Sequence, residues 1–542
     1  MSVLLVIVTA LTISVAVIPL MMRLAPRLGM IDAPDPRKVH ARPVPRVGGI
    51  GIALGALLAM LVAGSHAGWL GWYLGGAAVL LVFGALDDAL ELGHYTKFVG
   101  QFLAVVPMVW FGGVWVSSFP FLAEPLPAAI GKPFTAFAIV GVVNAVNHSD
   151  GLDGLAGGES VLSLGCIAYL AYLAGDLALV LAAFAVLGGV FGFLRFNTHP
   201  ARVFMGDAGS QFLGFSLGTF AVVLTQQSYP GLSMALPALI LGLPVVDILA
   251  VFYLRVSGGM NWFRATRNHV HHRLLGLGFD HYQAVVVIYA LQSFFVVCAI
   301  VFRHDSDLFV AALYLLPCTL VFAGLTLAER RGWRARRDQR ESDLSRVLGG
   351  DRAAGIASAL TATLAIMVSM YFVAGAIAVR VLPEGTAPAL GAIVVALAAT
   401  LWKPGRDWAG VVQRVCVYSL APLWAYGVER QLQAMAPALL VSTVPFYGFI
   451  AIAIGLVWKL SRDQDFAPTT MDFLVAVVAV AVTLLAGNFA PSGQVAIAAL
   501  LVKIVVLLYA CELVYSRAAP RWRAAFNLAA LASAAIALVA AL

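Results

Sequence analysis

The chain has 542 residues, 61% of them hydrophobic and only 11% charged, with a mean hydropathy of +0.93. So little polar surface excludes a soluble globular fold. It leaves an all-α polytopic integral membrane protein, because helices satisfy their own backbone groups in lipid. The net charge of +7 does not point to nucleic acid, since the basic residues are sorted by loop and form no patch.

About eighteen helices are expected. The first eleven lie near residues 2–22, 47–64, 70–86, 98–114, 133–147, 158–174, 178–194, 209–226, 233–254, 282–302 and 308–328. The segment from Ser2 to Met21 has no basic region before it and no small-residue cleavage site, so it is expected to stay as a signal anchor or ordinary first helix. Connections from odd to even helices hold twenty Lys and Arg residues, whereas the even-to-odd ones hold only Lys132 and Arg303. By the positive-inside rule the N-terminus faces outward and the odd-to-even loops are cytoplasmic.

The charged run ERRGWRARRDQRESDLSR, Glu329 to Arg346, divides the chain. Residues 1–330 form one expected membrane domain, 331–350 a basic cytoplasmic linker and 351–542 a second polytopic domain. Its seven helices are expected near 354–378, 387–402, 409–428, 435–458, 470–487, 495–515 and 523–541. This part has no dense polar motif. Lys503 and Glu512, nine residues apart, point to opposite faces of one expected helix, and both are read as snorkelling. The five cysteines lie in apolar runs with no CxxC pair, as packing or lipid-facing residues.

Five polar stretches, at 32–49, 87–101, 144–158, 196–210 and 263–274, all fall in odd-to-even loops or at their membrane edges. Polarity beside a bilayer is expensive, so their common side implies a single cytoplasmic site for a charged ligand. Adjacent Asp87 and Asp88 cannot both be comfortable as bare anions; one is expected to bind a cation or act as a base near a phosphate. Asp207, expected in a tight turn between Gly206 and Ala208, has the exposure a hard divalent ion requires. Asn147 and Asp207 would suffice for Mg2+, with Mn2+ as a substitute, because magnesium takes few protein oxygens beside substrate phosphates and waters. His269, His271, His272 and Arg273 supply donors for phosphate oxygens. The GGIG at Gly48 is read as close helix packing, since it follows no strand. His66, His94, His148, His199, His281 and His304 are read as loop or interface residues.

The Asp87–Asp88 pair, NAVNHSDGLDGLA from Asn144, FMGDAGS from Phe204 and HVHHRL from His269 occur in that order, separated by membrane helices. Together they resemble the polyprenyl-phosphate N-acetylhexosamine-1-phosphate transferases, of the glycosyltransferase 4 type, over about residues 1–330. HVHHRL and the preceding PVVDILAVFYLRVSGGMNWF look like the WecA-type branch. The resemblance implies an enzyme that transfers N-acetylhexosamine 1-phosphate from a UDP-sugar to polyprenyl (undecaprenyl) phosphate, giving a polyprenyl-diphospho-sugar and UMP. In this branch the sugar is N-acetylglucosamine, and the product starts a lipid-linked cell-surface glycan. A UDP-MurNAc-pentapeptide transferase is the alternative within the family, and a lipid or sugar transporter the alternative outside it.

By the same resemblance Asp207 and Asn147 would hold magnesium, and Asp87 or Asp88 would handle the acceptor phosphate. Asp150 and Asp153 would orient the nucleotide, with Asn144 as a further substrate-binding residue. Lys97, Arg37, Lys38, His40, His269, His271, His272 and Arg273 would bind phosphate or sugar. The implied partners are the UDP-sugar, the polyprenyl phosphate and the bilayer, without nucleic acid, and a homodimer is left open. The implied location is the bacterial inner membrane, multi-pass, with a cytoplasmic active site. Direct attack by the lipid phosphate is preferred to an aspartyl intermediate. His148, Ser149 and Asn268 depart from the usual family residues, and Asp247, inside the ninth expected helix, is given no role beyond a polar contact near the site.

Overall fold

A computed structural model describes residues 3–33, 43–64, 67–229, 231–259, 268–335, 350–379, 386–402, 409–435, 439–460 and 497–541. They form two compact units, one up to Ala335 and the other from Gly350 onward. Among the described residues, eight helices of the first unit and three of the second are long and apolar enough to cross a membrane. The chain is an all-α polytopic membrane protein.

In the first unit, α1 (Val3–Leu28) leads to a two-stranded antiparallel pair, β1 (Ile31–Asp32) and β2 (Val44–Pro45), and then to α2 (Gly48–Ala63). Next come α3 (Leu70–Leu90), α4 (His94–Trp110), α5 (Ala128–Ser149), α6 (Leu155–Ala174) and α7 (Leu177–Asn197). The eighth helix, α8 (Gly206–Val223), ends in a π turn at Leu224–Ser228. It lies among α2, α3, α5, α6 and α7 and is buried from Ala208 to Val223.

Small residues let α2 and α3 reach the start of this central helix. A Cβ on Gly49 would stand 2.0 Å from the Gly209 nitrogen, and one on Gly84 would stand 2.4 Å from Ala208 Cα. Any larger residue there would push the helices apart. The GGIG stretch therefore packs, and its amides tie down the next motif: Gly48 and Gly49 donate to the carbonyls of Phe204 (3.0 Å) and Met205 (2.8 Å).

The single helix expected over 233–254 is instead two, α9 (Leu236–Leu241) and α10 (Leu243–Ser257), broken at Gly242, whose φ is +57°. Each piece has a proline in its first turn, where a missing N–H costs least. The polar groups freed at the break are met by Gln292. Its Oε1 accepts Leu243 N–H at 3.0 Å, and its Nε2 donates to Ile240 O at 3.2 Å and Ser163 Oγ at 3.0 Å. The unit closes with α11 (Val270–Gly276), α12 (His281–Val301) and α13 (Asp307–Arg330).

The second unit comprises α14 (Gly350–Ala378), α15 (Thr386–Trp402), α16 (Ala409–Met435), α17 (Leu439–Leu460), α18 (Ile497–Arg517) and α19 (Pro520–Ala541). Phe372, Trp424 and Phe526 are fully buried in its core, and α14 packs against α16, α17, α18 and α19. The helix expected over 470–487 lies outside the described residues. The snorkelling expected of Lys503 is corrected, whereas the Glu512 side chain is 40% exposed. Lys503 is 8% exposed, and its ammonium meets the Glu429 carboxylate of α16 at 2.5 Å and Thr443 Oγ1 of α17 at 3.0 Å. Glu512 receives Arg414 at 3.2 Å and the Tyr418 hydroxyl. A charge buried in an apolar bundle needs a partner of opposite sign, and that of Lys503 was too distant in sequence to be seen.

Candidate active site

The helix contacts of the first unit bring four polar ends together. Asp87 and Asp88 occupy the last turn of α3, Asn147 the last turn of α5, Lys97 the first turn of α4 and Asp207 the first turn of α8. The tight turn expected at Asp207 is thus the beginning of a helix. Asp88 accepts the N–H groups of Asp207 (2.8 Å) and Ala208 (3.1 Å), two donors that a helix start leaves without intrahelical partners. Lys97 bridges the carboxylates of Asp87 and Asp207, at 2.9 Å from the latter. Asn147 donates its amide to Asp207 and, at 2.8 Å, to Ser210 Oγ, so the amide oxygen is the atom left to hold a cation.

Three carboxylates around one ammonium lack two positive charges when all are ionised. Apart from its ion pair, Asp87 accepts no hydrogen bond among the described residues although it is buried. Hard oxygen donors with unbalanced negative charge fit a divalent cation of the magnesium type.

A cleft of about 730 Å³ opens from this cluster. Asp88, Asn147, Asp150, Asp153, Asp207 and His272 line it, together with Arg46, Phe204, His199 and His281. Asp153 Oδ2 lies 2.6 Å from His199 Nδ1 and accepts Ala201 N–H at 3.0 Å. The His199 ring stacks on His281 with centroids 4.1 Å apart. Arg46 pairs with Asp32 at the rim.

The histidine run is held from behind. His269 Nδ1 lies 2.8 Å from Asp247 Oδ2, and Val270 N–H donates to the other Asp247 oxygen at 2.9 Å. The His269 ring stacks on His148 at 5.3 Å and on His271 at 5.8 Å. Burial, with the nearby His272, His269 and His148, pushes His271 down to about 3, so its ring is neutral at ordinary pH. Across the cleft, burial followed by the charges of Asp207 and Asp153 pushes Asp150 up to about 7. Burial also acts to raise Asp153, but the hydrogen bonds from His199 and the Ala201 amide prevail and hold it below the usual carboxylate range.

Of the residues singled out by sequence, Asp87, Asp88, Lys97, Asn147 and Asp207 form one contact cluster, and Asp150, Asp153 and His272 line the same cleft. Asn144 lies one turn behind, donating to Gln101 Oε1 and Val140 O, both at 2.8 Å. His269 and His271 are buried behind His272. Arg273 turns to α13, where it pairs with both Glu329 oxygens at 2.8 Å and donates to Thr326 at 2.9 Å. Arg37, Lys38 and His40 lie outside the described residues. Sequence reasoning missed His199, His281 and Arg46 as lining residues and Asp247 as the partner of His269. The first could have been found from its place in FNTHPARVFMGDAGS, between the DGLDG and GDAGS motifs.

The glycosyl transferase family 4 model matches residues 69–225. The chain is 34% identical over 304 residues to a probable undecaprenyl-phosphate N-acetylglucosaminyl 1-phosphate transferase of Bacillus subtilis (strain 168), covering 55% of this chain and 84% of that protein. It is 30% identical over 274 residues to the undecaprenyl-phosphate alpha-N-acetylglucosaminyl 1-phosphate transferase of Yersinia pestis, covering 49% of this chain and 75% of the relative. The Escherichia coli (strain K12) protein of that name is 28% identical over 274 residues, with 49% and 74% covered.

Proposed function

Because the chain belongs to glycosyl transferase family 4 and is a transferase of the glycosyl-1-phosphate kind, we propose that it moves N-acetylglucosamine 1-phosphate from UDP-N-acetylglucosamine to polyprenyl phosphate. The observation that carries the reading is a junction at His272. This residue borders the polar cleft and also a groove of about 1590 Å³ between α10, α11 and α13. Val246, Leu254, Leu315 and Phe322 line that groove, a surface suited to an isoprenoid chain. One substrate is anionic and water-borne and the other is anchored in lipid, so a carboxylate-rich cleft and a groove with apolar stretches on α10 and α13, meeting at one imidazole, suit both.

In this reading an oxygen of the lipid phosphate attacks the sugar-bearing phosphorus of the donor. That P–O bond forms as the bond to UMP breaks. Asp207 and Asn147 would hold a magnesium ion, for which manganese could substitute, and its charge would offset that of the donor diphosphate. Lys97 adds a fixed cation beside the same phosphates, and Asp88 fixes the first turn of α8 so that Asp207 does not wander. Positioning and charge compensation of this kind account for most of the rate in phosphoryl transfer. Asp153, steadied by His199, faces the nucleotide side of the cleft. The basic loops support a site on the cytoplasmic side of a bacterial inner membrane.

Membranes containing the protein should release UMP from UDP-N-acetylglucosamine only when both magnesium and polyprenyl phosphate are present. No UMP from any UDP-N-acetylhexosamine would overturn the reading.

A further inference from the structure

Three amide side chains form a continuous row behind the carboxylate cluster. Asn144 Nδ2 of α5 donates to Gln101 Oε1 of α4 at 2.8 Å, and Gln101 Nε2 donates to Gln211 Oε1 of α8 at 3.3 Å. Asn144 Nδ2 also donates to the Val140 carbonyl, one turn back on its own helix, at 2.8 Å. Gln101 and Gln211 are each 2% exposed.

The spacing of this row matches that of the site. Gln101 follows Lys97 by four residues, Gln211 follows Asp207 by four, and Asn144 precedes Asn147 by three. In a helix each interval is about one turn along the same face. The helices that carry Lys97, Asn147 and Asp207 are therefore hydrogen-bonded to one another one turn, or roughly 5 Å, deeper. At that level α5 and α8 meet backbone to backbone, for a Cβ on Gly214 would stand 2.5 Å from Val143 Cα.

A buried amide is costly unless paired, and apolar side chains would fill the same space without that cost. Apolar packing has no direction, however, and leaves a helix free to turn slightly about its axis. A hydrogen bond between amides holds over only a narrow range of such angles. The contacts inside the cluster, from Lys97 to Asp87 and Asp207 and from Asn147 to Asp207, cannot act as the brace, because a cation and phosphates would draw on the same atoms. The amide row shares no atom with the site, so filling the site takes none of its bonds.

We propose that Gln101, Gln211 and Asn144 are positioning residues, which hold Asp207 and Asn147 in register to bind a divalent cation. The inference rests on the cation given to those two residues under the proposed function, and not on the sugar or lipid transferred. Asn144, which the resemblance implies as a substrate-binding residue, acts through Asn147 instead.

The test is Mn2+ binding by the full chain in detergent, read from the electron paramagnetic resonance of the free ion, together with the melting temperature. Gln101→Met breaks both links and leaves two amides unpaired. It should weaken Mn2+ binding by about 10-fold or more and also lower the melting temperature. The triple variant Gln101→Met/Asn144→Leu/Gln211→Met removes the unpaired groups as well. Its melting temperature should return to near that of wild type while Mn2+ binding stays weak, whereas a row that merely held the helices together would recover both. Gln211→Met, which breaks only the longer link, should weaken binding severalfold and serves if the other variants do not fold. Variants that bind Mn2+ as tightly as wild type, or a wild type that binds none, overturn the proposal. Weakened Mn2+ binding in the variants of a chain that releases no UMP would overturn the proposed reaction and still support the brace.

Discussion

Lys97 sits between Asp87 and Asp207, so replacing either carboxylate is expected to disturb the other through the shared ammonium. Asp207→Asn keeps the size of the side chain and removes its charge, so turnover should fall by about 100-fold or more while the melting temperature in detergent stays near that of wild type. Near-normal UMP release would remove Asp207 from the site. Asp150 behaves differently because its carboxyl is raised to about 7 in the folded protein. Such a group contributes fully to stability below its unfolded value of about 4, and that contribution is lost as pH rises to 7. Asp150→Asn should therefore melt higher than wild type at pH 8, by an amount bounded at about 4 kcal/mol, with the gap closing toward pH 4. A gap that widened on acidification would contradict the assigned environment.

At the scale of helices, the site depends on how closely α3 approaches α8. Gly84→Val would drive a branched side chain into Ala208, moving Asp88 off the two amides it accepts. Overpacking of this kind costs about 1–3 kcal/mol, and both melting temperature and UMP release should drop. Gly75→Ala on the same helix meets nothing within 4 Å and should change neither. These contacts join motifs that were already legible as strings, because DD, DGLDG, GDAGS and HVHH concentrate polarity where apolar runs stop. The break at Gly242 was not legible. The apolar run continues through it, and the group that satisfies it, Gln292, lies fifty residues further on. His199 and His281 were equally hidden, since a lone histidine has no local signature and gains its role only when loops from three parts of the chain converge on Asp153. Arg273 was read toward phosphate, and its actual direction was set by Glu329 on a helix that begins thirty-four residues later.

For the whole molecule, the residues assembling the cleft all lie before Ala335, and a chain ending after Arg346 should retain phosphosugar transfer. Complete loss in a truncation that stays monodisperse would show that the units are interdependent. The partners of Lys503 and Glu512 were not legible in the sequence, because they come from other helices. The burial of α8 from Ala208 to Val223 carries a kinetic meaning. A centre anchored in the axis of the bundle does not travel to meet a lipid. The long hydrocarbon chain has to arrive and depart sideways through the bilayer, so the viscosity of the surrounding membrane enters directly into how often one site can be reused.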